Sequence, residues 1–197
     1  NNMLVIVAIV GYFLGALPFG VILSRLNGVD ILKEGSGNPG FTNVLRNLGV
    51  KVGAMVLILD MLKGTLATFL GSYLAGEWGM LVGFGCALVG HSLSPFIRFR
   101  GGKGIATGAG GLLFISPLTF LLSALTVVVP AILTKYMSLG AILSALGTPI
   151  YLYLTGESWR VVGTIGLLSC YVIFLHRSNI VRLLKGEENK ISLGKRD

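Results

Sequence analysis

Charged side chains are scarce in this sequence. They make up 12% of its 197 residues, whereas 53% of the residues are apolar, and the mean hydropathy is +0.82. A soluble domain of this length could not bury so much apolar surface. The shortage of charge therefore excludes a soluble globular protein and indicates an integral membrane protein.

Cysteine and histidine are also scarce, with two residues of each. Cys86 and Cys170 both lie inside apolar runs, where a free cysteine behaves as a small apolar residue. Metal sites need several ligands close together in a recognisable spacing, which this sequence lacks. We therefore expect no disulfide, no metal site and no cofactor.

The apolar residues form seven runs, separated by charges, prolines and polar clusters. Six of the runs are close to the roughly 20 residues that cross about 30 Å of hydrocarbon. The short seventh run, 104–115, is rich in small residues, which is typical of a helix packed among other helices. We predict an all-α integral membrane protein with seven transmembrane helices, one of them short, in a single domain, 1–197. A count of five or six spans is the alternative. The six longer runs are 3–24, 52–76, 78–94, 117–134, 137–155 and 159–175.

The basic residues predict how these spans are oriented, because Lys and Arg favour the cytoplasmic side. If the N-terminus is outside, fourteen of the sixteen basic residues fall on one face of the membrane. Only Arg160 falls on the other face, and Lys63 lies inside a span. We therefore expect the N-terminus outside and the C-terminus inside, which requires an odd number of spans.

The first polar segment, "GSGNPGFTNVLRNLG" (35–49), interrupts the apolar pattern near the N-terminus. We predict a short interfacial helix capped by Asn38, with Pro39 at its first position and Gly49 at its end. The N-terminus of such a helix presents backbone N–H groups that can bind phosphate. The Arg46 guanidinium can add a bidentate hydrogen bond to the same phosphate. The alternative is a glycine-rich turn before a membrane-surface helix.

The second polar segment, "GHSLSPFIRFRGGKGIATGAGG" (90–111), surrounds Lys103 with glycines just before a predicted helix. Glycines let a backbone approach an anion closely, so this segment predicts a second anion site. It is not a nucleotide-binding Walker A loop, because Gly104 stands where that motif has Ser or Thr after the lysine. A plain glycine-rich connection is the alternative.

The third polar segment, "HRSNIVRLLKGEENK" (176–190), follows the last predicted span. Its spacing predicts a further interfacial helix in which His176 and Asn179 share one side. A basic flank that only stops membrane insertion is the alternative. The predicted interfacial helices all lie on the cytoplasmic side.

Three other polar residues lie in or near predicted spans. Asp60 and Lys63 lie inside the second span, where ionisable groups are costly and usually paired or functional. We interpret them as a structural ion pair. His91 is either a ligand-binding residue or a packed, headgroup-level histidine.

Together the three polar segments resemble the three cytoplasmic signatures of the acyl-phosphate:glycerol-3-phosphate acyltransferases, the PlsY family. The segment "LDMLKG" is also similar to the second span of that family. The resemblance implies a multi-pass enzyme of the bacterial inner membrane whose active site faces the cytoplasm. The reaction it implies is acyl transfer from acyl phosphate to glycerol 3-phosphate, giving lysophosphatidic acid and phosphate. The partners would be these two substrates and the bilayer, with no nucleic acid.

The resemblance also implies roles for individual residues. Glu188 would support the structure. The residues expected to be catalytic are Ser36, Arg46, Lys103, His176 and Asn179. The resemblance places Gly101, Gly102 and Gly104 in the stretch that binds glycerol phosphate. From the polar segments themselves we also expect substrate binding by Gly35, Gly37, Asn38, Gly40, Thr42, Asn43 and His91.

The chemistry of acyl phosphate fits these residues. This mixed anhydride is already activated, so the enzyme mainly has to hold two phosphate-bearing substrates and stabilise developing charge. No His, Asp or Glu lies within 35–46, so Ser36 is expected to position a phosphate rather than to act as a nucleophile. The sequence also lacks the His-x4-Asp pattern common in acyltransferases that use acyl-CoA or acyl carrier protein: Phe96 and Val181 stand five residues after the two histidines. An anion transporter or a noncatalytic lipid-binding scaffold is the alternative function.

Overall fold

The computed structural model describes residues 2–191, and every regular element within this range is a helix. The predicted all-α class is therefore confirmed for this part of the chain. The predicted cytoplasmic charges of Lys195 and Arg196 lie outside the described residues. The elements are α1 (Asn2–Ala16), α2 (Phe19–Leu26), α3 (Phe41–Ser92), a 3-10 turn (Pro95–Ile97), α4 (Ile105–Ile115), α5 (Pro117–Thr134), α6 (Met137–Leu154), α7 (Trp159–Leu175) and α8 (Arg177–Lys185).

Two backbone breaks divide α3 into three parts. Gly49 has a φ of 82°, and Ala75 and Gly76 are also non-helical, with a φ of 61° at Gly76. Glycine adopts positive φ without the penalty that a side chain would bring, so it ends helices readily. The parts are α3a (41–48), α3b (50–74, about 37 Å long) and α3c (77–92, about 24 Å long).

Within residues 2–191 each predicted apolar run overlaps helical residues, but the first run, 3–24, is divided between α1 and α2. Four stretches are long and apolar enough to cross a membrane, and the α7–α8 pair, bent by 55°, makes a fifth candidate. One of the four, Phe41–Ile97, has 57 residues and contains both α3b and α3c. Another, Asn2–Leu26, is interrupted between α1 and α2. The break follows from Pro18, which lacks an N–H group and cannot continue a helical hydrogen-bond pattern.

The chain forms two compact units, the first reaching Phe114 and the second comprising Ile115–Ile191. Helices of the first unit approach one another through glycines. The backbone of Gly15 in α1 lies against Ala87 of α3c, and Gly64 of α3b lies against Thr107 of α4, with no room for a Cβ at either glycine. Small residues allow such close approach between helices in membranes. The short helix α4 is therefore packed among its neighbours, as its small residues predicted.

The second unit holds its helices together partly through hydroxyl groups. Ser123 of α5 and Thr148 of α6 lie 2.9 Å apart at their hydroxyl oxygens, and both are buried. The Thr126 and Tyr151 hydroxyls form a second pair at 2.8 Å. Hydrogen bonds of this kind join helices where water does not compete.

Candidate active site

The first polar segment is organised by the buried amide of Asn43. Its Nδ2 donates to the carbonyls of Ile31 (3.4 Å) and Glu34 (2.9 Å), while its Oδ1 accepts from the Ser36 N–H (3.1 Å) and from Asn47 Nδ2 (3.2 Å). These four bonds use both donors and both lone pairs of the amide. Asn43 therefore fastens the loop that carries Ser36 to α3a, which favours a positioning role over the predicted substrate contact.

The helix of this segment begins later than predicted. It starts at Phe41, with Gly40 as the residue before it, so the predicted cap at Asn38 and first position at Pro39 are wrong. The reason is local: Asn38 Oδ1 accepts from the Gly40 N–H at 2.9 Å and closes a turn that contains Pro39. The predicted end at Gly49 is confirmed.

The predicted site residues of this segment lie on the turn and the first helical turns. Ser36 is exposed, while Thr42 and Arg46 are half-buried on α3a, four residues apart. That spacing puts Thr42 and Arg46 on the same face of the helix. Gly35 and Gly37 adopt positive φ values of 56° and 67°, which give the loop its sharp path around Ser36. Asn43 and the glycines thus bring Ser36 to the N-terminal end of α3a.

The second polar segment folds back on the end of α3c. The Gly101 N–H donates to the Ser92 carbonyl (3.0 Å), and the Gly102 N–H donates to the His91 carbonyl (3.1 Å). A Cβ at either glycine would overlap His91 or Ser92, so only glycine fits. Lys103 and Gly104 follow at once, and α4 begins at the next residue, as the sequence predicted.

Two residues before this loop carry backbone strain. Arg98 and Phe99 have φ values of 54° and 60°, a region that disfavours residues with a Cβ. The conformation is held by hydrogen bonds, because the Phe99 N–H donates to the Ser94 carbonyl (2.8 Å) and the Arg100 N–H to the Ile97 carbonyl (3.1 Å). Backbone hydrogen bonds therefore fix the conformation of the chain that leads into the basic, glycine-rich loop.

His91 lies beneath the loop. Its side chain is 8% exposed, its Nδ1 lies 3.7 Å from Asp60 Oδ1, and its Nε2 faces Gly102. This placement favours the packed alternative for His91 over direct contact with a ligand. Asp60 and Lys63 form the predicted ion pair, with 2.8 Å between Lys63 Nζ and Asp60 Oδ1.

The third polar segment belongs to the second unit. His176 is buried at the bend between α7 and α8, where its Nδ1 lies 2.8 Å from the Val172 carbonyl oxygen. Because a carbonyl only accepts, Nδ1 carries the proton, and in the neutral ring Nε2 carries the lone pair. The segment thus presents a histidine of fixed tautomer.

Asn179, one turn into α8, is held by a buried carboxylate. Asn179 Nδ2 and the Ser138 hydroxyl donate to Glu188 Oε1 at 2.7 and 3.0 Å, and Arg182 Nε donates to Oε2 at 2.8 Å. The supporting role expected for Glu188 fits this geometry. Its partners Ser138 and Arg182 were not predicted from the sequence: Ser138 lies outside the three polar segments, and Arg182 lies in the third segment but was counted only for its positive charge.

The predicted site residues thus fall into two groups. Those of the first and second polar segments lie in the first unit, where Gly20 of α2 packs against the Pro39 carbonyl. His176 and Asn179 lie in the second unit. In the first group Asn43 is held by hydrogen bonds to the loop, and in the second group His176 and Asn179 are held by hydrogen bonds to Val172 and Glu188.

Comparisons with known proteins agree with this architecture. Residues 5–186 match the family model for glycerol-3-phosphate acyltransferase. The glycerol-3-phosphate acyltransferase of Rhizobium meliloti (strain 1021) is 43% identical over 182 residues, 92% of this chain and 89% of that one. That of Carboxydothermus hydrogenoformans is 41% identical over 194 residues, 98% of this chain and 99% of that one. A crystal structure of PlsY, an integral membrane glycerol 3-phosphate acyltransferase in its glycerol 3-phosphate form, has a TM-score of 0.91 at 34% identity, covering 96% of both chains.

Proposed function

The chain belongs to the glycerol-3-phosphate acyltransferase family, and on this premise we propose that it transfers a fatty acyl group from acyl phosphate to glycerol 3-phosphate. The products are lysophosphatidic acid and inorganic phosphate. The family match runs through both compact units, which supports treating 1–197 as one membrane domain.

The observation that carries this proposal is the pair of rigid, glycine-rich turns that precede α3a and α4. Each turn ends at a helix N-terminus, where backbone N–H groups and the helix dipole favour a phosphate. Each turn also has a basic residue near it in the chain, Arg46 on α3a and Lys103 just before α4. Two anion sites suit a reaction between two substrates that both carry phosphate.

The proposed chemistry is direct transfer. A glycerol hydroxyl oxygen attacks the acyl carbonyl carbon, the bond from that carbon to the phosphate oxygen breaks, and phosphate leaves. Arg46, Lys103 and the glycine N–H groups stabilise the charge that develops on the phosphates and the carbonyl oxygen. Ser36 positions a phosphate by hydrogen bonding, and the hydroxyl proton passes to His176 Nε2 or to a phosphate oxygen of the substrate. The Asn179 amide is held by the Glu188 carboxylate.

The protein is proposed to span the bacterial inner membrane seven times, with all three polar segments facing the cytoplasm. The support is the distribution of Lys and Arg, which places fourteen basic residues on that face. The acyl chain stays in the bilayer, because each buried methylene stabilises membrane association by about 0.8 kcal/mol.

Single cysteines at positions 36 and 103, in a background without Cys86 and Cys170, test the orientation. Neither cysteine should react with a membrane-impermeant maleimide added to intact cells, and both should react in inverted vesicles. A cysteine introduced at Glu157, in the predicted external loop, is the control that should label from outside. Strong external labelling of position 36 or 103 would contradict the orientation.

The donor is tested with purified protein in vesicles, offered palmitoyl phosphate or palmitoyl-CoA together with glycerol 3-phosphate. We expect lysophosphatidic acid to form with palmitoyl phosphate as the donor and not with palmitoyl-CoA, because the sequence lacks the general-base pattern of acyltransferases that use thioesters. A parallel measurement of glycerol 3-phosphate flux into sealed vesicles separates catalysis from transport. Comparable product from palmitoyl-CoA, or flux without product, would count against the proposal.

A further inference from the structure

A buried polar cluster lies in the first unit, beneath the Gly101–Gly104 loop. Asp60 and Lys63, on α3b, are 2% and 3% exposed and form an ion pair at 2.8 Å. Two charges inside a membrane protein are costly to desolvate, even as a pair. Replacing a buried ion pair by apolar residues is often neutral or stabilising, so the contacts that Asp60 and Lys63 make with other residues indicate what the pair does.

Lys63 connects the pair to the break in the first membrane stretch. Its Nζ donates to the Leu17 carbonyl at 2.9 Å and lies 5.8 Å from the centre of the Phe19 ring. The break at Pro18 removes Leu17 from the regular helical pattern, and Lys63 supplies a donor to its carbonyl. Lys63 therefore fixes the direction in which α2 leaves the break, and α2 packs Gly20 against the Pro39 carbonyl of the first polar segment.

Asp60 connects the same pair to the second polar segment. Its Oδ1 faces His91 Nδ1 at 3.7 Å, and the opposite edge of that imidazole, Nε2, faces Gly102. The His91 carbonyl also accepts the Gly102 N–H at 3.1 Å. The imidazole is thus held between a buried carboxylate and the backbone of the glycine loop.

We infer that Asp60, Lys63 and His91 are positioning residues that set the backbone geometry of the Gly101–Gly104 loop and thereby its affinity for phosphate. The inference rests on the proposed function, in which this loop and Lys103 hold a substrate phosphate. In the proposed acyl transfer, none of these three side chains touches a reacting group. The cluster acts through the loop backbone, and through the Pro18 break it is also connected to the first polar segment.

A purely structural ion pair and a positioning cluster respond differently when both charges are removed. Asp60→Asn leaves the Lys63 charge unpaired, so reduced stability is expected in either case. The double variant Asp60→Leu/Lys63→Met removes both charges together, and replacing a buried pair by apolar residues commonly restores stability. If the pair only stabilises the fold, the double variant should also regain wild-type kinetics.

The experiment compares this double variant and His91→Gln with Lys103→Ala, using the full-length protein in vesicles. Lys103→Ala is expected to raise the KM of one of the two phosphate substrates. We expect the double variant and His91→Gln to raise the KM of that same substrate at least about fivefold, and to change kcat less than about threefold. The KM of the other substrate should change much less. Ser123→Ala, which removes a buried hydroxyl pair of the second unit, is the matched control and should leave both KM values unchanged.

Hydrogen–deuterium exchange supplies a readout that does not need activity. The amides of the Gly101–Gly104 peptide should exchange at least about tenfold faster in the double variant and in His91→Gln, and at the wild-type rate in Ser123→Ala. Wild-type exchange and wild-type KM values in both test variants would overturn the inference, as would equal increases of both KM values. If the wild-type protein transfers no acyl group, the proposed function fails, whereas the exchange result still decides whether the cluster holds the loop.

Discussion

Replacing Glu188 by alanine is expected to destabilise the protein by about 3 kcal/mol, because it leaves buried donors without their acceptor. Glu188 accepts from Ser138, Asn179 and Arg182, and it is 8% exposed. Arg182 is about one-third exposed, so water compensates part of its loss. Thermal unfolding in detergent measures the destabilisation, and the acyl-transfer rate at a temperature where the variant is folded measures the effect on Asn179.

The neighbouring residue provides the control for this prediction. Glu187 carries the same charge but is exposed, so Glu187→Ala should leave both the unfolding temperature and the rate close to wild type. Glu188→Gln keeps an acceptor oxygen and should fall between the two alanine variants. A wild-type unfolding temperature in Glu188→Ala would show that the carboxylate does not hold α8 in place.

Arg46→Ala and Lys103→Ala are each expected to lower kcat/KM at least tenfold, or about 1.4 kcal/mol, with the fold intact. Lys103 lies two residues before α4 and Arg46 is the sixth residue of α3a, and the proposal places a phosphate at the start of each of these helices. Steady-state kinetics with each substrate varied in turn measures the loss and assigns each basic residue to one phosphate. An unfolding temperature close to wild type shows that the loss is not a folding defect.

Lys51→Ala is the matched control for these two variants. Lys51 is an exposed basic residue at the start of α3b, on the predicted cytoplasmic face. Lys51→Ala removes one positive charge from the predicted cytoplasmic face, as the other two variants do, but it leaves both glycine-rich turns unchanged. If Lys51→Ala lost as much activity as Arg46→Ala and Lys103→Ala, the effect would come from net charge, and the assignment of the two anion sites would be wrong.

The apolar helices could be predicted from the sequence because hydrophobicity over about 20 residues is a strong signal in a membrane protein. Each predicted apolar run except the first, 3–24, lies mainly on one helix, and the small residues of 104–115 correctly indicated a packed helix. The break between α1 and α2 was missed although Pro18 marks it. A single proline inside a long apolar run does not say whether the helix bends or stops, since neighbouring groups can satisfy the freed carbonyls. Here those groups are Lys63 and Ser94, from distant parts of the chain.

The site was predictable to the level of segments and less so to the level of individual contacts. Spacing and glycine content identified the three polar segments, because anion binding needs N–H groups and room for close approach. Spacing could not distinguish Asn43, whose amide is fully used within the protein, from a substrate ligand. Nor could it show that Asn38 closes a turn before the helix instead of capping it. Both contacts depend on how the loop 31–40 folds back against the start of α3a, which spacing in the sequence does not show.

Direct acyl transfer from acyl phosphate to glycerol 3-phosphate can be tested by a pulse and chase with labelled donor. Purified protein in vesicles is mixed with acyl phosphate labelled in its acyl group, first without and then with glycerol 3-phosphate. We predict no label on the protein in the first step, and stoichiometric label in lysophosphatidic acid with release of phosphate in the second. An acyl adduct on Ser36 that forms first and is then transferred to glycerol 3-phosphate would contradict direct transfer, and an absence of lysophosphatidic acid would contradict the proposed function.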